Sequence, residues 1–249
     1  MEMRISIFHA TIVAVCLVRH NCVFAHGTPV VVDVVDDQLV VSGGIVDLFG
    51  FAPTIYLDGT EDAQLDHTTL PNLGRVALTN LPGFDIEGMS PGSELFMTIV
   101  SRPAQGTAPP ENRFLWYWRD NEDGSNKVII APNQESLNIA SEFGLINVPQ
   151  SDKPIPEALK VAEPLLEDLG EHVHYLRYLL DDAPTAALGG YGFFAKLSSP
   201  KYESSEPILF MFNNGLSEGQ LTTAALDINM AATVRGDFNR DDQLTIADL

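Results

Sequence analysis

The densest set of metal-ligating side chains lies in the stretch GDFNRDDQLTIADL, Gly236–Leu249. Counting from Asp237 as position 1, oxygen-bearing side chains recur at position 3 (Asn239), position 5 (Asp241) and position 12 (Asp248). Gln243 at position 7 can offer its backbone carbonyl, and Thr245 at position 9 can hold a water. Calcium takes about six to eight hard oxygens, and an EF-hand loop supplies them at these offsets. Leu244 is apolar and can tuck the loop against a neighbour, with Ile246 as a second contact. Where an EF-hand turns on glycine, this chain has Asp242, a residue that tolerates left-handed backbone better than most. The pattern points to a calcium loop; an acidic tail that holds no ion is the plainer alternative.

The spacing resembles the first calcium loop of a type I dockerin, which runs Gly-Asp-x-Asn-x-Asp, then an apolar residue, then Asp-Leu. Gly236, Asp237, Asn239, Asp241, Leu244, Asp248 and Leu249 stand at the family's positions. Dockerins likewise close the loop on Asp rather than Glu. The resemblance covers 14 residues. It implies a Ca2+ site and a cohesin-like or other cell-surface partner. A dockerin pairs two loop-helix units, and here the sequence stops where the first exit helix would begin. The ending therefore reads as a truncated frame or the remnant of a longer anchor.

His172 and His174, in EHVHYLRYLL, form a second candidate. On one strand they would share a face, about 7 Å apart. Two imidazoles so placed can share Zn2+. Glu171 would face the other way, so a third ligand would come from His67, His26 or an aspartate on another element. Two half-exposed surface histidines are the alternative. The wider stretch HVHYLRYLLDDAPTAALGGYGFFAKL resembles exported bacterial surface proteins of the PEP-CTERM kind, some of them in zinc-responsive systems. His172, His174, Tyr178, Pro184, Gly190 and Tyr191 carry that resemblance. It implies a β-sandwich and an envelope location. The sorting tail of such proteins is not found here.

Other motifs lead away from catalysis. GMSPG, Gly88–Gly92, matches G-x-S-x-G, but Pro91 follows the serine where an oxyanion-hole N–H is needed. It reads as a turn. Phe114, Trp116 and Trp118 would share one strand face. An exposed row could stack on sugar rings, and a buried row would be core, the reading favoured here. Among so many acids no carboxylate pair stands out as a glycosidase dyad.

The elements around these residues read as strands. VVVDVVDDQLVVS is a Val-rich hairpin turning at Asp36–Asp37. SELFMTIVSR, NRFLWYWRD, NKVIIAP, EHVHYLRYLL, GGYGFFAKLSS and EPILFMFNNG are short β-branched and aromatic runs bounded by turn residues. Ser217 and Gln220 make a capping box ahead of a short helix, and Asn229–Arg235 reads as a connector. The fold expected is all-β, an antiparallel β-sandwich or jelly roll with a short C-terminal helix and a truncated EF-hand-like loop.

The apolar run Ile5–Val18, followed by VFA, reads as a signal peptide over 1–25, cleaved ahead of His26. That removes Cys16 and Cys22, the chain's two cysteines, leaving neither disulfides nor thiols. With the amine and ring of a terminal His26, a further histidine could hold copper, though nothing beyond Gly27 continues such a pattern. The expected division is 1–25 leader, 26–215 β-domain, 216–235 helix and connector, and 236–249 calcium loop. Acidic residues outnumber basic ones 34 to 14, a net charge of −20, which excludes a basic nucleic-acid footprint. No transmembrane segment is expected in the mature chain. The reading is an exported, non-catalytic bacterial envelope or extracellular module for binding or surface assembly. The alternative is a secreted polysaccharide-acting enzyme with a dockerin-type tail.

Overall fold

The computed structural model describes residues 30–42, 45–46, 54–55, 66–70, 74–79, 83–103, 112–121, 126–129, 136–149, 158–163, 171–173, 177–180 and 187–232. The leader, His26, His174 and the Gly236–Leu249 loop lie outside them. The described chain is all-β apart from one helix. In chain order the strands begin with β1 (Val30–Val35), β2 (Gln38–Ser42), β3 (Ile45–Val46), β4 (Thr54–Ile55), β5 (Asp66–Leu70), β6 (Gly74–Thr79) and β7 (Phe84–Ile86). There follow β8 (Leu95–Val100), β9 (Arg102–Pro103), β10 (Asn112–Arg113), β11 (Leu115–Asp120), β12 (Asn126–Ile129), β13 (Leu137–Ser141) and β14 (Gly144–Val148). The last are β15 (Leu159–Ala162), β16 (Glu171–Val173), β17 (Arg177–Leu180), β18 (Gly189–Ser198) and β19 (Ile208–Asn214), then helix α1 (Glu218–Ala232).

The Val-rich hairpin forms as its sequence predicts. β1 and β2 pair antiparallel across Asp36 (φ 50°) and Asp37 (φ 64°). Two successive residues with positive φ give a type I′ turn, whose twist matches the strands it joins, and Asp is among the residues that accept it. The segment around Leu159, with Pro156 and Pro164 flanking it, is extended, and β15 lies antiparallel to β8.

The strands assemble into a four-stranded sheet (β16-β7-β1-β2), a five-stranded sheet (β14-β13-β17-β6-β5) and an eight-stranded sheet, with β9 and β10 as a separate ribbon. Pairing is antiparallel except at β1·β7 and β4·β19, which are parallel. The centre of the eight-stranded sheet is β18, ten residues long. β19 lies along one side of it; β11 and β8 lie end to end along the other.

Alternation along these strands divides the apolar residues between two clusters. Leu115, Tyr117, Tyr191, Phe193, Phe210 and Phe212 face the main core, where they meet Val30, Val32 and Phe84 of the four-stranded sheet and Leu137 and Ile139 of the five-stranded one. Phe193 stacks on Phe210 with ring centroids 5.1 Å apart, and Phe84 approaches Phe210 at 6.4 Å. Trp116, Trp118, Phe194, Leu209 and Met211 face the opposite way and are covered by Leu221, Ala224, Ala225, Ile228 and Ala232 of α1. A sheet buried on both faces explains why LWYWRD and ILFMFNN show no polar alternation at their centres.

Helix α1 begins as its capping box predicts. The Ser217 N–H donates to Gln220 Oε1 at 2.9 Å, and Gln220 Nε2 donates on to Asp120 Oδ2 at 3.0 Å, tying the helix start to the end of β11. The helix runs further than expected. Asn229–Ala232, read as connector, is its last turn; Asn229 is buried and its amide donates to the Ala225 carbonyl at 3.0 Å. Alanine favours helix, and the small side chains of Ala224 and Ala225 let the backbone approach the tryptophans closely.

Candidate functional site

Trp116 and Trp118 are core, but Phe114 precedes β11 and packs, partly buried, against the main core instead, so the three do not share one face. Trp116 and Trp118 have no exposed surface, so neither presents a ring to a sugar. Trp118 Nε1–H instead donates to Asp227 Oδ2 of α1 at 2.7 Å. That bond to a carboxylate pins the helix to the sheet. Asp227→Ala would leave the indole N–H buried without its acceptor and is expected to destabilise the fold by about 1–3 kcal/mol. Chemical denaturation followed by tryptophan emission measures it; an unchanged midpoint would remove the bond from the account of how α1 docks.

The G-x-S-x-G match is a turn. The Ser93 N–H donates to the Ser90 carbonyl at 3.0 Å, across Pro91 and Gly92, whose φ is 66°. Proline followed by a glycine of positive φ is the type II arrangement. Ser90 is held by a tyrosine rather than by a general base. Its N–H donates to the Tyr202 hydroxyl oxygen at 2.9 Å, and its Oγ lies 2.9 Å from the same atom. The Ser90 hydroxyl, then its N–H, draw the Tyr202 phenol below the usual tyrosine range, and partial burial opposes them.

A depressed folded pKa contributes stability that is full above the unfolded value near 10 and is lost as pH falls through the folded value. The difference in melting temperature between the native chain and Tyr202→Phe is therefore expected to widen toward pH 10 from pH 8. A difference that stays constant over that range would contradict the assignment.

The histidine segment departs from the single strand expected. EHVHYLRYLL forms two strands in different sheets, β16 ending at Val173 and β17 beginning at Arg177. β16 pairs with β7, which places His172 in register with Asp85. His174 falls between the two strands and lies outside the described residues, so the pair is not seen on one strand. His67 lies in β5, in the five-stranded sheet, and so belongs to a different sheet from His172. Among the described residues no group of three or more His, Cys, Asp or Glu side chains is placed to hold a metal.

The proposed calcium ligands Asp237, Asn239, Asp241, Gln243, Thr245 and Asp248 all lie outside the described residues. What is described is the element that leads to them. α1 packs on the outer face of the eight-stranded sheet and carries the chain to Ala232. Among the described residues no helix is long and apolar enough to cross a membrane.

Sequence reasoning missed a cationic feature. Arg102 and Arg113, at the root of the β9–β10 ribbon, are both buried. The only signal available in the sequence was the placement of arginines directly beside strongly apolar strands.

Comparison with family models, with curated proteins and with solved structures returned no match.

Proposed function

We propose that this protein is an exported, non-catalytic β-rich module of a bacterial envelope or extracellular assembly, whose C-terminal segment is a calcium loop. The observation that carries this reading is the fixed spacing of Asp237, Asn239, Asp241 and Asp248, with Gly236, Leu244 and Leu249 around them. Those four residues would supply side-chain oxygens, Gln243 a backbone carbonyl, and Thr245 a bridging water. Three carboxylates brought together repel one another until a cation neutralises them, so calcium would order the loop and display it for a cohesin-like or other surface partner. The net charge of −20 suits a secreted, cation-binding chain.

The residues that suggested catalysis or sugar binding are occupied in folding. Ser90 closes a turn, and the tryptophans lie under α1. Two measurements on exported protein test the reading together. N-terminal sequencing should begin at His26, and metal analysis should find calcium-dependent occupancy without stoichiometric zinc or copper. A product that begins at Met1 or Met3 would remove export. One equivalent of zinc would transfer the site to His172 and His174, and copper would transfer it to His26.

A further inference from the structure

Helix α1 has two faces with different surroundings. Leu221, Ala224, Ala225, Ile228 and Ala232 cover the tryptophans. Residues three and four apart stand above one another on a helix, so Gly219, Thr223, Leu226 and Met230 form a stripe on the side away from the sheet. None of the four is ionisable, in a chain where 19% of residues are charged. A surface helix ordinarily puts its charges on that side. Thr223 Oγ1 donates to the Gly219 carbonyl at 2.8 Å, which satisfies the hydroxyl within the helix. Leu226 is half-buried at the rim of the tryptophan cluster, and Met230 is 60% exposed. Asp227, beside the stripe, is held by Trp118. The last turn of α1 carries no basic side chain, so the partial negative charge of the helix C-terminus is not offset on the helix itself.

We propose that this stripe is the seat on which the calcium-loaded C-terminal loop docks through Leu244 and Ile246, an inference that rests on the calcium-loop reading above. Connectivity favours the chain's own loop as the occupant. Thr233 follows directly from the last turn of α1, and Leu244 lies twelve residues beyond Ala232. Twelve extended residues reach about 40 Å, while the stripe from Met230 back to Thr223 is only about 10 Å long, so the loop can fold back over it. Such a tether gives the loop an effective concentration on the order of millimolar, which a separate molecule rarely matches. Charge favours the same occupant, because a calcium ion carried to this end of α1 meets the partial negative charge of the helix terminus. Without the ion, the repulsion among Asp237, Asp241, Asp242 and Asp248 opposes a closed loop that presents Leu244 and Ile246 on one side. Calcium removes that repulsion, and docking buries Leu244 and Ile246 against Leu226 and Met230. Calcium binding and docking therefore strengthen each other, by the same factor in both directions.

Two variants of the full chain test the docking. Met230→Ser changes an exposed side chain, and Leu244→Ser changes a residue that supplies no calcium ligand. Each is titrated with calcium beside the unmodified protein and followed by amide NMR. In the unmodified protein the amides of Thr223, Leu226 and Met230 are expected to shift with the same midpoint as those of residues 237–248. Nuclear Overhauser contacts between the Met230 methyl and the methyls of Leu244 or Ile246 should appear with calcium and vanish on chelation. Both variants should lose the α1 shifts, keep the tail shifts and bind calcium about three- to tenfold more weakly, since part of the apolar burial is gone. Tail amides that saturate while those of α1 stay in place would overturn the docking and leave the calcium loop standing. Tail amides that do not move would remove both. Shifts in α1 that grow with protein concentration would give the stripe to a second copy of the chain and overturn the proposal, as would unchanged calcium affinity in both variants.

Discussion

Replacing Phe210 by alanine is expected to destabilise the protein by about 3–5 kcal/mol, enough to unfold a large fraction of molecules in a marginally stable domain. The residue has no exposed surface and joins two sheets, since its ring stacks on Phe193 at 5.1 Å and meets Phe84 at 6.4 Å. Truncation would open a cavity between layers whose backbones are held by hydrogen-bonded ladders, so the walls relax only in part. Phe210→Leu keeps most of the volume and should lose clearly less. Urea unfolding of both variants measures the difference. Equal loss in the two would show that the cavity is not what matters at this position.

Gly189→Ala is expected to cost about 3 kcal/mol, although it adds one methyl group. A Cβ at Gly189 would lie 2.4 Å from the Trp118 carbonyl oxygen and 2.4 Å from Tyr117 Cε2. The carbonyl belongs to the backbone of β11 and cannot swing aside. The Tyr117 ring is fixed at its far end, where its hydroxyl donates to the Leu188 carbonyl at 2.6 Å. Gly192→Ala provides the contrast. There the nearest atom is Met211 Sδ at 2.7 Å, the flexible part of an adaptable side chain, so the cost should be smaller. Thermal unfolding of the two variants side by side is the check, and a Gly192→Ala protein less stable than Gly189→Ala would refute the backbone-clash argument.

The parts of this fold that were legible in the sequence are those decided by neighbours along the chain. The hairpin at Asp36–Asp37 is one, because a two-residue turn and two Val runs are all it needs. The cap of α1 is another, since Ser217 and Gln220 are three residues apart and bond to each other. The division of EHVHYLRYLL was not legible. Its apolar character continues across the break, and the outcome depends on distant partners. β7 takes up Glu171–Val173, while β6 and β13 take up Arg177–Leu180. The length of α1 was hidden for a similar reason. Asn229 and the alanines look like a connector until the sheet face they pack on is known.

Groups of side chains divide along the same line. The proposed loop ligands Asp237 to Asp248 are close enough in sequence to be read as a set from the sequence alone, and they lie outside the described residues. Arg102 and Arg113 are far enough apart that only strand register brings them together, and no local pattern announces the pair.

The most direct measurement is a calcium titration of the full chain followed by amide NMR of residues 237–248. Asp242 in place of the turn glycine, and a shorter Asp in place of the closing Glu, put the expected affinity at the weak, extracellular end, about 10⁻⁴ to 10⁻³ M. The amides of Asp237, Asn239, Asp241 and Asp248 are expected to shift together and saturate in that range, to return on chelation, and to respond more weakly in Asp241→Ala. Amides of β18 and β19 should stay in place throughout. Tail amides that do not move at about 10 mM calcium, roughly ten times the weak limit, would contradict the calcium loop and with it the proposed role of the protein.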